Sequence, residues 1–265
     1  MLFHDTFGRC IDWNSPRDLN EVINYLAFKG DHSRWAALAD KYAVREYVKD
    51  KGLENILIPL YWSGKLPEDI PFDALQYPCV LKLNNGSGDI VFLKDAGSFS
   101  KEKVIEETRR NLARKFGLIS AEPHYLKIPP RILVEKCLVE NEKTPLVDYK
   151  IWCINGTPCY IFTVSQRNFS TGEGKYALFT PEWNRQDNYI VERYRNNTNV
   201  PSPIHLSQML DYARILSEGL PQVRVDFYEV DGEVYFGEMT LTSMGGRMQY
   251  FTSDFLVEQG RAVKI

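Results

Sequence analysis

With 265 residues, 44% hydrophobic and 25% charged, the chain has an ordinary globular composition and length enough for one large domain or two to three small lobes. A net charge of -3 gives no whole-protein field towards nucleic acid or an anionic membrane. No apolar run approaches the roughly 18 residues of a membrane span, and the opening "MLFHDTFGRCIDWNSPRD" lacks a signal-peptide pattern, so a cytoplasmic protein is expected. Cys10, Cys79, Cys137, Cys153 and Cys159 are odd in number, scattered and without a CxxC pair, which argues against a disulfide frame or a zinc site.

Residues 16–50 read as helical. Ser15 is placed to cap the first helix ahead of Pro16, with Leu19, Val22, Ile23 and Leu26 as its buried stripe. Asp40 is placed to cap the second, and Gly52 to end it. "ILIPLYW" reads as extended. "YPCVLKLNNGSGDIVFLKD" reads as strand, glycine loop, strand, and "KEKVIEETRRNLARKFGLIS" as one amphipathic helix. "PRILVEKCLV" and "DYKIWCINGTPCYIFTVSQ" follow as strands, the latter turning at Asn155-Gly156. Residues 165–205 are polar and read as a loop region. "HLSQMLDYARILSEGL" is a helix, "VRVDFYEVDGEVYFGEMTLTS" a hairpin, and residues 244–265 contain a short helix. Strands outnumber helices in the middle, and the order mixes hairpins with helices, which favours α+β lobes rather than a doubly wound parallel sheet. No GxxxxGK[ST] motif or strand-linked GxGxxG is present.

The hairpin carries Asp226 and Glu238 among apolar residues. A two-residue Asp231-Gly232 turn pairs Val230 with Glu233 and sends the two carboxylates to opposite faces. A three-residue loop, Val230-Asp231-Gly232, pairs Glu229 with Glu233 and sets Arg224 opposite Glu238. It gathers Arg224, Asp226, Tyr228, Phe236, Glu238 and Thr240 on one face, and leaves Val223, Val225, Phe227, Tyr235, Met239 and Leu241 for the core. The cleaner core face favours this loop. Two neighbouring carboxylates repel and are costly to bury unpaired. A divalent cation with substrate phosphates resolves that, and Arg224 suits charge on a phosphoryl group. An Arg–carboxylate surface network is the plainer alternative.

Other polar residues interrupt apolar strands. Lys82 lies beside Val80, Leu81 and Leu83, ahead of "NNGSG", whose amides suit phosphate; the same glycines also suit an ordinary hairpin turn. Glu135 and Lys136 sit within "ILVEKCLV", either facing a purine from a linker or solvated on an edge strand. Asp148 and Lys150 alternate onto one face, meeting a ribose and a phosphate or simply each other. Lys41 follows the Asp40 cap, where a solvated lysine is common.

Taken in order, "DKYAVREYV", "VLKLNNGSGD", "ILVEKCLV", "DYKIWC", "VRVDFY" and "FGEMTLTS" resemble the ATP-grasp superfamily, and the TupA-like ATP-grasp family of bacterial surface-polysaccharide clusters most closely. The resemblance runs over most of the chain and implies an ATP-grasp fold, two α+β lobes clamping a nucleotide. It implies a reduced helical part over residues 1–70, a small lobe over 71–135 and a large lobe over 136–265. It implies ATP and Mg2+ as cofactors. Lys41 and Lys82 match phosphate-contacting lysines, and Asn84, Asn85, Gly86, Ser87 and Gly88, running on to Asp89, match the phosphate-covering loop. Glu135, Lys136, Cys137 and Leu138 match the adenine linker, Asp148 the ribose acid, Lys150 a second phosphate contact and Arg224 the arginine facing the transferred group. Asp226 and Glu238 match the magnesium ligands. Many ATP-grasp enzymes carry Asn where this chain has Thr240, whose hydroxyl is a weaker ligand.

The implied activity is an ADP-forming carboxylate–amine ligase. Its partners are small-molecule or glycan-precursor carboxylate and amine substrates, with neither nucleic acid nor a membrane span. A kinase that stops at phosphoryl transfer to a hydroxyl and a non-catalytic nucleotide-binding module are the rival readings. The acceptor is expected beside Ser243, Gly245, Gly246 and Arg247. Arg167, Arg185, Arg193 and Arg195 in the polar loop are expected to recognise an acidic substrate or to be solvated.

Overall fold

The computed structural model describes residues 2–138, 146–165, 174–196 and 199–265. The chain divides into two compact units, one of residues 34–144 and one of residues 1–33 with 145–265. The boundaries read from sequence, at 70 and 135, do not coincide with these. The helical N-terminal stretch is shared between the units.

The elements in chain order are α1 (Leu2–Phe7), α2 (Leu19–Phe28), α3 (Trp35–Ala39), α4 (Val44–Asp50), β1 (Leu60–Gly64), β2 (Cys79–Leu83), β3 (Ile90–Leu93), α5 (Lys101–Leu112), α6 (Phe116–Ser120) and β4 (Ile132–Lys136). Then come β5 (Asp148–Ile154), β6 (Thr157–Ser165), β7 (Lys175–Phe179), α7 (Leu206–Leu216), β8 (Gln222–Val230), β9 (Glu233–Thr240) and α8 (Ser253–Ala262). The mixed α+β class stands. Among the described residues no helix is long and apolar enough to cross a membrane, and all five cysteines are free.

The smaller unit holds a four-stranded antiparallel sheet in the order β1-β4-β2-β3. Cys79, Leu81, Leu83, Ile132 and Val134 point from it into a core with Ile70, Phe72, Leu93 and Val104. The expected long helix after β3 is two, because the chain leaves helical geometry at Ala113–Lys115. The larger unit holds a five-stranded antiparallel sheet in the order β7-β6-β5-β8-β9. β7 lies where sequence suggested only loop. One face of this sheet offers Ile151, Cys153, Val223, Val225 and Phe227 to Met209, Ala213 and Leu216 of α7, all fully buried. The opposite face carries Trp152 and Phe162, packed against Phe251, which in turn meets Phe255 of α8.

Helix α2 is capped by Asp18, not Ser15: Asp18 accepts from the Glu21 amide at 3.0 Å. The Glu21 carboxylate is fully buried and accepts from the Arg17 side chain and backbone and from the Arg9 guanidinium. This ties the N-terminal segment to α2, and α2 packs on α8. Gly260 of α8 makes that contact possible, since a Cβ there would lie 2.5 Å from the Asp18 carbonyl carbon and 2.6 Å from the Leu19 nitrogen. Backbone cannot yield as a side chain can. Gly260→Ala is therefore expected to destabilise the protein by about 1–3 kcal/mol in urea unfolding, with Gly8→Ala, which meets nothing within 4 Å, as a control limited to its left-handed backbone.

Candidate functional site

The β8–β9 hairpin turns on two residues. Asp231 and Gly232 both have positive φ, 54° and 79°, and Val230 pairs with Glu233. Sequence reasoning set this turn aside for its less clean core face; alone, it separates Asp226 from Glu238. A β-bulge restores them to one face: the register shifts between Phe227↔Phe236 and Asp226↔Glu238, leaving Gly237 as the extra residue. A Cβ on Gly237 would sit 3.1 Å from the Asp226 carbonyl oxygen and 3.1 Å from the Tyr228 ring. The expected clustering is present, with corrected pairs. Asp226 stands opposite Glu238, and Arg224 opposite Thr240 rather than Glu238. Phe236 joins Phe227 on the core face and Tyr235 pairs with Tyr228, the reverse of the expected assignment.

Strand β5 adds Lys150 opposite Asp226 and Trp152 opposite Arg224. Glu238, Asp226 and Lys150 thus form one cross-strand row that continues into Phe162. Asp226 is 2% exposed and surrounded by cations. Arg224 donates through Nε to Oδ1 at 2.7 Å and through Nη2 to Oδ2 at 2.7 Å. Lys150 Nζ reaches Oδ2 at 2.5 Å and Asp148 Oδ2 at 3.4 Å. Arg224 Nη2 also reaches Glu238 Oε1 at 3.2 Å and Thr240 Oγ1 at 2.9 Å, and Thr240 donates to Glu238 at 3.0 Å. Burial would lower the Arg224 pKa, but Asp226, reinforced by Glu238, outweighs it and raises it, so the guanidinium stays charged. Its carbon lies 5.7 Å from the Trp152 ring centroid. Tyr250, stacked on Phe162 at 4.8 Å, is pushed up by burial while Arg224 pulls the other way. Sequence reasoning missed Trp152 and Tyr250 because only register shows which aromatic residues adjoin Arg224.

The segment after β9 is partly spent on its own turn. Ser243 Oγ lies 3.5 Å from Arg224 Nη1 and so belongs to the cluster. The Gly245 and Gly246 amides donate to the Thr242 and Ser243 carbonyls at 2.8 and 2.9 Å. A Cβ on Gly246 would lie 2.1 Å from Asn24 Nδ2, so this glycine serves packing on α2. Arg247 reaches the Gly245 carbonyl at 3.2 Å. Of the loop arginines, Arg185 meets Asp187 at 2.7 Å, Arg195 donates to the Ile190 carbonyl at 2.9 Å and Arg193 covers the Tyr194 ring at 4.6 Å. Arg167 lies outside the described residues.

The smaller unit carries the remaining candidates. Lys82 Nζ meets Glu135 Oε2 at 2.5 Å, and Arg45 meets Oε1 at 3.4 Å. The Glu135 carboxylate, expected to face a base, is thus held by two cations. The Lys136 and Cys137 amides donate to the Pro59 and Pro78 carbonyls at 2.9 and 3.3 Å, while Leu138 is half-buried. Lys41 Nζ donates to the Gly86 carbonyl at 2.8 Å. Ser87 and Gly88 are exposed at the loop tip, Asn85 is half-buried, and Gly88 has φ 90°. Asp89 is raised by burial, with Arg114 at 2.9 Å opposing the shift.

The family profile described as TupA-like ATPgrasp matches residues 21–264. The chain belongs to the TupA-like ATP-grasp family. Among solved structures it is similar to an L-amino acid ligase from Bacillus licheniformis, with a TM-score of 0.50 and 15% identity over 79% of this chain and 44% of that one. It is also similar to a D-alanine–D-alanine ligase from Bacillus anthracis complexed with ATP, with a TM-score of 0.43 and 15% identity over 85% and 65% of the two chains. The chain thus spans less than half of the first and under two thirds of the second. No curated protein matches its sequence. The fold is the ATP-grasp fold, as the ordered motifs implied.

Magnesium chemistry can be tested on the donor set. Among the described residues no group of three or more His, Cys, Asp or Glu is placed to hold a metal. Asp226, Glu238 and Thr240 offer hard oxygen donors on one face, a set that suits Mg2+ when phosphate oxygens complete its shell. The residue types suit the ion, while both Asp226 oxygens already accept from Arg224 or Lys150. Removing the arginine should expose the cost of the buried cluster. Arg224→Ala is expected to lose about 3–5 kcal/mol in denaturant unfolding because Asp226 is left half-compensated, and Arg224→Lys to lose less.

Proposed function

We propose that this ATP-grasp protein is an ADP-forming ligase that joins a carboxylate to an amine in assembling a bacterial surface polysaccharide or its precursor, in the cytoplasm. The observation that carries the reading is the Glu238–Asp226–Lys150 row, buried at Asp226 and Lys150 and part-exposed at Glu238, with Arg224 clamped beside it. Such a row is costly to bury, and it matches the needs of a phosphoryl group in transfer.

A substrate carboxylate oxygen attacks the γ-phosphorus of ATP, the bond to the ADP oxygen breaks, and an acylphosphate forms. An amine then attacks the acyl carbon, phosphate leaves, and the amine's proton goes to solvent. Arg224 lies against the charge that builds on the transferred group, and Lys150 against a phosphate oxygen. Asp148 accepts from the ribose. Asp226, Glu238 and Thr240 would hold Mg2+, which when bound neutralises phosphate charge. Lys41, Lys82 and the Asn85–Gly88 loop receive the phosphates, and residues 135–138 the adenine, mainly through apolar contact, because the Glu135 carboxylate already meets Lys82 and the Lys136 and Cys137 amides already donate to the Pro59 and Pro78 carbonyls. Ser243 and Arg247 would hold the acceptor.

The chemistry needs no protein nucleophile. Incubation with ATP, Mg2+ and candidate sugar acids or amino acids in hydroxylamine is expected to give a hydroxamate and ADP. ADP without hydroxamate points to a kinase instead.

Both Asp226 oxygens already meet cations. Millimolar Mg2+ alone is therefore expected to leave the melting temperature unchanged, whereas Mg2+ with a non-hydrolysable ATP analogue raises it. Asp226→Asn/Glu238→Gln should abolish the metal-dependent part of that rise.

A further inference from the structure

The glycine loop begins at a residue that the sequence places among the nucleotide contacts, yet its geometry assigns it elsewhere. Asn84 is 1% exposed. Its Nδ2 donates to Asp40 Oδ1 at 2.9 Å and to the Pro129 carbonyl at 3.0 Å, and its Oδ1 accepts from the Arg131 amide at 2.7 Å. Its own amide donates to the Arg131 carbonyl at 3.0 Å, and its carbonyl accepts from the Lys41 amide at 3.2 Å. Every polar group of Asn84 is thus engaged within the unit, and none is left to grip a phosphate.

Asp40 is the other half of this arrangement. Its Oδ1 also accepts from the Tyr42 and Ala43 amides at 2.8 and 3.2 Å, starting the turn that leads into α4. The Arg131 guanidinium sits 4.3 Å over the Tyr42 ring and closes the circuit. One carboxylate oxygen therefore joins the helix start that carries Lys41 to the first residue of the glycine loop. Lys41 Nζ then reaches two residues further, to the Gly86 carbonyl.

We propose that Asp40 and Asn84 are a positioning pair: neither touches the nucleotide, and together they hold Lys41 and the 85–88 loop in one mutual arrangement that receives the phosphates. This rests on the nucleotide reading above. It removes Asn84 from the direct contacts and adds Asp40, which no motif singled out beyond capping.

Substitutions on the two sides test the pair. Asn84→Asp sets a carboxylate oxygen against both Asp40 and the Pro129 carbonyl, and is expected to weaken binding of a non-hydrolysable ATP analogue about ten-fold, with AMP binding unchanged. Asp40→Ala removes the shared acceptor and is expected to do the same. Asp40→Asn keeps an oxygen that can accept from Asn84 Nδ2 and from the Tyr42 and Ala43 amides, and should bind the analogue nearly as wild type does. Hydrogen exchange at residues 85–88 without ligand should rise in Asn84→Asp and Asp40→Ala and stay near wild type in Asp40→Asn. Three results overturn the proposal: Asn84→Asp binding the analogue as wild type does, AMP weakening equally, or Asp40→Ala leaving both affinity and protection unchanged. Wild type failing to bind the analogue at all would instead sink the nucleotide reading, and the hydrogen-exchange comparison would still judge the pair.

Discussion

The polar face of the larger sheet depends on one extra residue. Side chains alternate along a strand, so the Asp231-Gly232 turn dictates that Asp226 and Glu238 face apart unless a residue is added between them and the turn. Gly237 is that residue. Below it, towards the turn, the hairpin obeys one parity and buries Val234 and Phe236; above it, the other parity brings Glu238 and Thr240 beside Asp226 and Arg224. A bulge costs a ladder position and strand regularity, and here it converts a plain hairpin into one that places the charged residues together.

The charges so gathered are poor candidates for a stabilising role. Arg224, Lys150, Asp148 and Asp226 are all buried, and taking such groups from water is often offset only partly by their mutual attraction. An apolar set of equal volume would fold at least as well. Their presence, saturated with one another, describes a site kept electrically satisfied, with Asp226 as the hub. Glu238, with 30% of its side chain exposed, is the member nearest to solvent.

Much of this was legible in the sequence, and the failures have physical causes. The Asn155-Gly156 turn, the strand–glycine loop–strand and the α+β class followed from local chemistry, and the observed φ of 50° and 77° at 155–156 is what Asn-Gly favours. The hairpin was assigned the right face with the wrong turn, because apolar patterning reports parity at each strand but not where parity changes. A lone glycine at 237 inside an otherwise regular strand was the available signal. Asp18 with Glu21 three residues on is a stronger cap signature than Ser15 with Pro16, and it prevailed. Strand β7 was hidden by polar neighbours. The roles of Asn84 and Glu135 were illegible because their partners, Asp40, Arg131, Arg45 and Lys82, lie far away in sequence and meet them only through the fold.

The division of the chain bears on how the protein is made. The smaller unit is one unbroken run, 34–144, and among the described residues its strands form one sheet of their own. The larger unit is discontinuous: α2, near the start, packs on α8, near the end. During synthesis the inner unit can close as soon as β4 has emerged, whereas α2 must wait until α8, on the far side of that unit in sequence, has been made. In that interval Leu19, Val22, Ile23 and Leu26 are left without α8. The buried face of α2 is thus sheltered late, and the inner unit's early closure shortens the effective tether across which it must find α8.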